Sequence, residues 1–200
     1  IAGYVQLGNG EEALHCFEQM QMQGLTPDSV TLMCMLKACS SIGASVKGQE
    51  IHIDIIREGF LEENNAIGNT LVDMYVKCGM FEDAQDVFEE LLVQDVVSWN
   101  ALLSGYAQLG LGNEVMNCIQ LMKLEMMSPN AVTFTSALKA YCGSKVAITN
   151  VSELHNEILQ KGFDRDLYVG STLVDVYSKS GLSIEGKKMF FIRFWFEILS

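Results

Sequence analysis

Apolar positions recur at helical spacing along most of the chain. Between residues 96 and 130, a first segment places Trp99, Leu102, Leu103, Tyr106 and Ala107 at i, i+3, i+4, i+7 and i+8, one apolar stripe of an α-helix. A second segment repeats the stripe with Val115, Cys118, Ile119 and Met122. Gly110 and Gly112 read as the breakers between them. Ser128-Pro129 stops the second segment, because the residue before a proline is pushed out of the helical region. The predicted unit is therefore a helix hairpin. One hairpin cannot bury two stripes by itself, so stacked neighbours must complete the core. The pattern predicts an all-α fold, an α-solenoid of stacked helix-turn-helix repeats with a concave face lined by the first helices.

The sequence also matches itself at a shift of 102 residues. Pro27 falls on Pro129, Val30-Thr31 on Val132-Thr133, and Leu36-Lys37-Ala38 on Leu138-Lys139-Ala140. The same shift puts Thr70-Leu71-Val72-Asp73-Met74-Tyr75 on Thr172-Leu173-Val174-Asp175-Val176-Tyr177, and Gly3-Tyr4 on Gly105-Tyr106. His52 and Gly59 match His155 and Gly162 at 103 instead, so one residue is inserted and then removed within that stretch. Each period holds three shorter hairpin units.

Composition narrows the picture. The chain has 200 residues, 49% apolar and 19% charged, with 2 prolines against 17 glycines, which excludes disorder and collagen. Thirteen Lys+Arg against 25 Asp+Glu leave a net charge of -12, the wrong sign for holding nucleic acid by bulk attraction. Any contact with RNA or DNA must be local. The six cysteines (Cys16, Cys34, Cys39, Cys78, Cys118, Cys142) show no C-x-x-C pair and read as reduced thiols in helices. No apolar run is long enough for a transmembrane helix, and the N-terminus is neither a signal peptide nor an Arg-rich transit segment. Ile1 falls inside what the later copy presents as a helix, so the sequence reads as a fragment.

The segment Val96-Val97-Ser98-Trp99-Asn100-Ala101-Leu102-Leu103-Ser104-Gly105-Tyr106, ending at Ser128-Pro129-Asn130, resembles a pentatricopeptide repeat of 35 residues. The 36-residue unit 131–166 resembles the long (L) type, its Lys139-Ala140 and Leu154-His155 echoing Lys37-Ala38 and Ile51-His52 in 29–64. The 31-residue unit 65–95, with Gly68-Asn69-Thr70-Leu71-Val72-Asp73-Met74-Tyr75, resembles the short (S) type. The expected order is partial P (1–28), L (29–64), S (65–95), P (96–130), L (131–166), partial S (167–190) and an aberrant tail (191–200). That alternation resembles the plant PLS subfamily, here as a fragment without the C-terminal E/DYW-type extension. The resemblance implies a right-handed superhelix and a location in mitochondrion or chloroplast. It also implies sequence-specific binding of single-stranded organellar RNA, most often as a specificity factor for RNA editing or transcript processing.

In such repeats one base is read per unit, by a polar residue of the first helix together with the last residue of the same repeat. The resemblance assigns these roles to Asn69 with Asp95, a pair favouring U, and to Asn100 with Asn130, favouring pyrimidines, C over U. An Asn amide offers both donor and acceptor to a base edge, which makes the assignment chemically sensible. In the L-type units the equivalent positions are Met33 with Asn64 and Thr135 with Asp166, the latter resembling a pair that favours G. Ser171 is the first half of a pair in the last unit. Ala66, Val97 and Val132, one turn earlier, occupy the place where the family sandwiches bases, although ordinary packing would also account for them.

Lys77 and Lys179 recur 102 residues apart near the end of a first helix, where they could meet phosphate or simply complement the helix dipole. Lys37 and Lys139 carry the same ambiguity. The acidic pairs Glu11-Glu12, Glu62-Glu63, Glu82-Asp83 and Glu89-Glu90 are expected to face away from RNA.

Enzymatic readings fail on the residues. His155-Asn156-Glu157 fits the H-x-E half of a zinc deaminase signature, but no P-C-x-x-C follows to hold the metal. Gly110-Leu111-Gly112 has no preceding strand and is not a nucleotide loop. His15, His52 and His155 are scattered. No catalysis, cofactor, metal or membrane is expected. Editing-complex proteins, or a deaminase from another chain or from a missing C-terminal region, are the further partners the resemblance implies. From Phe191 to Ser200 the aromatic-rich sequence departs from the repeat and reads as a truncated or misread gene product. The competing function class is a helical-repeat scaffold that binds protein and not RNA, which suits the negative charge.

Overall fold

The structure, a computed structural model, describes residues 1–63, 65–142 and 148–179. Within them the chain forms α1 (Ala2–Gln6), α2 (Gly10–Met22), α3 (Ser29–Ile42), α4 (Ser45–Arg57), α5 (Phe60–Glu63), α6 (Asn65–Lys77) and α7 (Phe81–Glu90). It continues through α8 (Val96–Gln108), α9 (Gly112–Leu124), α10 (Ala131–Ala140), α11 (Ile148–Lys161) and α12 (Leu167–Lys179), with a 3₁₀ turn at Phe163–Arg165. No strand occurs among the described residues. The chain divides into two compact units, Ile1–Gly105 and Tyr106–Ser200.

In the first unit α3 packs on α2, α4 and α6, and α6 packs in turn on α7. The interior helices α3 and α6 thus have neighbours on more than one side. Phe17, Leu32, Met35, Leu36, Ile51, Ile55, Ile67, Leu71 and Met74 are fully buried there. In the second unit α10 packs on α9, α11 and α12, burying Ile119, Phe134, Leu138, Leu154, Ile158 and Leu173. The Phe134 ring meets the ring of Phe163 at 5.4 Å.

The stripes deduced from spacing are largely the buried faces, with Tyr106 and Ala107 at the end of the first one half-buried. Trp99, Leu102 and Leu103 on α8 and Val115, Cys118, Ile119 and Met122 on α9 are all buried. Gly110 does end the first helix, with a left-handed φ of 68° that a glycine adopts without strain. Gly112 does not break anything: it is the first residue of α9. Its small size serves close packing instead, because a Cβ there would overlap the ring of Tyr141, whose hydroxyl donates to the Gly112 carbonyl at 2.7 Å. Gly10 holds the same place at the start of α2, where a Cβ would lie 2.7 Å from Ile42 Cγ2.

Two further expectations are corrected. All six cysteines are free thiols, but Cys78 and Cys142 lie in turns just past α6 and α10 and not in helices. A plain hairpin also omits α5 and the 3₁₀ turn. Each follows a left-handed glycine, Gly59 (φ 74°) or Gly162 (φ 76°), and takes up chain between a second helix and the next first helix.

Candidate nucleic-acid interface

The first helices α3, α10 and α12, with α8, begin directly after an Asp or Asn, and that residue caps the helix. Asp28 accepts from the Thr31 amide at 2.7 Å, Asp95 from Ser98 at 2.9 Å, Asn130 from Thr133 at 3.1 Å and Asp166 from Val169 at 3.1 Å. The spacing is three residues each time, the geometry of an N-cap. Asn130 adds a full capping box, since Thr133 Oγ1 accepts from the Asn130 amide at 3.1 Å. The last residues of the expected pairs, Asp95, Asn130 and Asp166, therefore also start helices, a role the sequence analysis did not assign them.

Asp95 accepts more than its cap bond. Its Oδ1 accepts from the Val97 and Ser98 amides, both at 2.9 Å. Asn69 on α6 donates through Nδ2 to Oδ1 at 3.2 Å and Oδ2 at 3.3 Å, and Asn65 donates to Oδ2 at 2.9 Å. Burial opposes the charge, but the two backbone amides and the two side-chain amides outweigh it and hold the carboxyl below its ordinary value. A carboxylate can only accept, so Asn69 must turn its NH₂ toward Asp95 and its Oδ1 away. That Oδ1 is buried and has no hydrogen-bond partner among the described residues. The structure thus brings together Asn69 and Asp95 as expected, and adds Asn65.

The other expected residues are placed as follows. Asn100 is half-buried on α8 and Asn130 half-buried ahead of α10. The Thr135 hydroxyl donates to the Ala131 carbonyl of its own helix at 2.7 Å, while Asp166 accepts from the Tyr168 and Val169 amides. These bonds do not join Thr135 to Asp166. Exposed Ser171 donates to the Tyr168 carbonyl at 3.0 Å. Ala66, Val97 and Val132 are all exposed near the starts of α6, α8 and α10. Two residues missing from that series share its place: Val30 on α3 and Tyr168 on α12, the latter 76% exposed. The 102-residue shift puts Val30 on Val132 and Ala66 on Tyr168, so the signal was in the sequence.

Lys77 lies on the same edge of α6 as Asn69, two turns on, and pairs with Asp73 at 2.7 Å. Lys179 stands likewise to Ser171 on α12 and pairs with Asp175 at 2.8 Å. Lys37 and Lys139, each one turn past Met33 and Thr135, are exposed. Glu11, Glu12, Glu82 and Asp83 sit in the first turns of the second helices α2 and α7, where they complement the helix dipole.

Among the described residues no cluster of His, Cys, Asp and Glu could hold a metal ion, and no helix is long and apolar enough to cross a membrane. Asn64, the end of the last unit and the 191–200 tail lie outside the described residues.

Stacked hairpins with Asp or Asn caps at the helix starts define a helical-repeat protein. The chain belongs to the pentatricopeptide repeat family. A model described as the PPR repeat family matches residues 1–41 and 94–143, and a second PPR repeat model matches 69–96 and 171–191, together well over half of the sequence. A chloroplastic pentatricopeptide repeat-containing protein of Arabidopsis thaliana is 36% identical over 95% of this chain and 30% of its own length. A mitochondrial one from the same plant is 36% identical over 90% of this chain and 20% of its own length. The chain thus spans less than a third of either relative. The crystal structure of the pentatricopeptide repeat protein PPR10 from maize superposes with a TM-score of 0.57 at 18% identity, over 94% of this chain and 31% of that one. PPR10 in complex with an 18-nt psaJ RNA element gives 0.50 at 16% identity, over 94% of this chain and 38% of that one. The shared fold is the α-solenoid of helical repeats.

Proposed function

We propose that this chain binds single-stranded RNA in a sequence-specific manner, one base per repeat, as a specificity module in organellar RNA editing or transcript processing. The observation that carries the reading is the Asn69–Asp95 contact. With its NH₂ committed to Asp95, Asn69 keeps an unpaired acceptor, Oδ1, that is buried in the free protein, so a base reaches it only as the side chains around it move. Between the pyrimidines, uracil presents an N3–H donor and cytosine an N3 acceptor, so this acceptor favours U. A buried acceptor without a partner is costly, and a base that donates to it removes that cost.

Family membership supports the reading, as does the RNA named in the PPR10 complex. The relatives named chloroplastic and mitochondrial support an organellar location. Under this proposal the units run P, L, S, P, L, S as the sequence divides them, in the manner of the plant PLS subfamily. Asn69/Asp95 read U, Asn100/Asn130 read C or U, Thr135/Asp166 read G, and Ser171 is half of a further pair. Ala66, Val97 and Val132, joined by Val30 and Tyr168, flank the bases. Lys77 and Lys179 meet phosphates by exchanging their aspartate partners for the RNA backbone. An editing deaminase would be a separate partner.

The test is selection from a random single-stranded RNA pool at low salt, with wild type and Asn130→Asp in parallel and helical folding checked by circular dichroism. Enrichment of U followed by C or U, shifting to U-U in the variant, is the expected result. A folded sample that enriches nothing overturns the proposal and leaves a protein-binding scaffold.

A further inference from the structure

Asp95 has a side-chain partner that the pairing of Asn69 with Asp95 does not require. Asn65, one turn before Asn69 on α6, donates to Asp95 Oδ2 at 2.9 Å, across 30 residues of sequence. This is shorter than either bond from Asn69, whose NH₂ is shared between the two oxygens at 3.2 and 3.3 Å. The shorter bond is the stronger of the two contacts, and it takes up an acceptor site on Oδ2 that the Asn69 contact alone would leave open. The residues preceding Val30, Val97, Val132 and Tyr168 at the equivalent helix starts are Ser29, Val96, Ala131 and Leu167, none of which carries an amide.

We propose that Asn65 is a positioning residue that sets the base preference of the 65–95 unit, an inference that rests on the RNA-reading function proposed above. The Asn65 bond occupies Oδ2 and leaves the carboxylate with no acceptor for a base. Asn69 Oδ1, buried in the free protein, is then the acceptor left to a base that opens the site, and it selects the N3–H of uracil. Without Asn65, Oδ2 is open to accept from the exocyclic amine of cytosine, and cytosine gains.

The test measures binding of two RNA oligonucleotides that differ only by U or C at the base facing this unit. The register is fixed by Asn69→Ala, which removes the preference between them. Asn65→Leu, which installs the side chain that Leu167 presents at the matching place, is expected to lower the U-over-C ratio about five- to tenfold, chiefly by tighter binding of the C oligonucleotide. Asn65→Gln keeps the donor and is expected to restore most of the ratio. Circular dichroism accompanies each variant, with Asn65→Ala used if Asn65→Leu loses helix. An unchanged ratio in a folded variant overturns the inference, as does an equal loss for both oligonucleotides, which would mark Asn65 as merely structural. A wild type that binds RNA with no preference at this base overturns the reading of bases itself, and the inference with it.

Discussion

The imidazole Nδ1 of His52 lies 2.9 Å from the hydroxyl of Tyr75, tying α4 to α6 across 23 residues of sequence. The second period repeats the contact between His155 on α11 and Tyr177 on α12 at 2.8 Å. In both pairs the rings meet edge to face with centroids 5.6 Å apart. Burial pushes the Tyr75 hydroxyl up to about 12, so it stays protonated and can donate to a neutral imidazole.

A pH dependence follows from His52. Burial lowers its pKa from the ordinary 6.5, partly opposed by the charges of Glu90 and Asp83. Below that ordinary value the unfolded chain takes up a proton that the folded chain resists, so stability is full above it and declines as pH falls. The melting temperature is expected to drop between about pH 7.5 and about pH 5.5, and the drop to shrink in His52→Phe. An equal drop in both proteins would exclude His52 as its source. Tyr75→Phe should cost about 1 kcal/mol at neutral pH by leaving the imidazole without its donor.

Gly112 is the packing counterpart. Since a Cβ there would overlap the Tyr141 ring, Gly112→Ala is expected to destabilise the fold by about 2 kcal/mol despite alanine's better helix propensity. Gly3, on α1, has nothing within 4 Å of such a Cβ, and Gly3→Ala should stabilise by about 0.5–1 kcal/mol. Chemical denaturation of the two variants side by side separates space from propensity. Equal effects would remove the Tyr141 contact as the explanation.

Met126 is the one described non-glycine residue with a positive φ, 60°, and it stands where the 102-residue shift places Gly24, at 73°. It is 91% exposed, so its side chain contributes little packing. Met126→Gly is expected to raise stability by about 0.5–1 kcal/mol by relieving left-handed strain in excess of the added chain entropy. A lower melting temperature in the variant would refute this.

The hairpins were legible in the sequence because a 3.6-residue apolar period is a direct image of a buried helix face, and Trp99, Leu102, Leu103, Val115 and Met122 all follow it. Asn69 and Asp95 were nameable because they recur in a known repeat pattern. Their hydrogen bond depends on how α6 meets the start of α8, and so does that of Asn65, for which no pattern existed. The His52–Tyr75 contact was hidden for the same reason: each residue looks ordinary alone, and only the stacking of helices joins them. Gly112 was misread because glycine has two uses, a permissive backbone and an absent side chain, and sequence does not say which applies.

Under the proposed function, Lys77 and Lys179 bear on RNA affinity and not on base choice. Replacing either with Gln is expected to weaken binding of all RNA sequences alike and to make the log–log salt dependence shallower by about 0.7 per lysine. A variant whose salt slope matches wild type would place that lysine away from phosphate.

The helix caps carry a consequence for redesign. Asp95, Asn130 and Asp166, the residues proposed to face bases, each close a helix start with the same side chain. Only short side chains with an oxygen acceptor (Asp, Asn, Ser and Thr) do this well. An engineer rewriting the target of such an array therefore works with a four-letter alphabet set by folding. A longer Glu or Gln extends the chemical vocabulary only by loosening the scaffold that displays it.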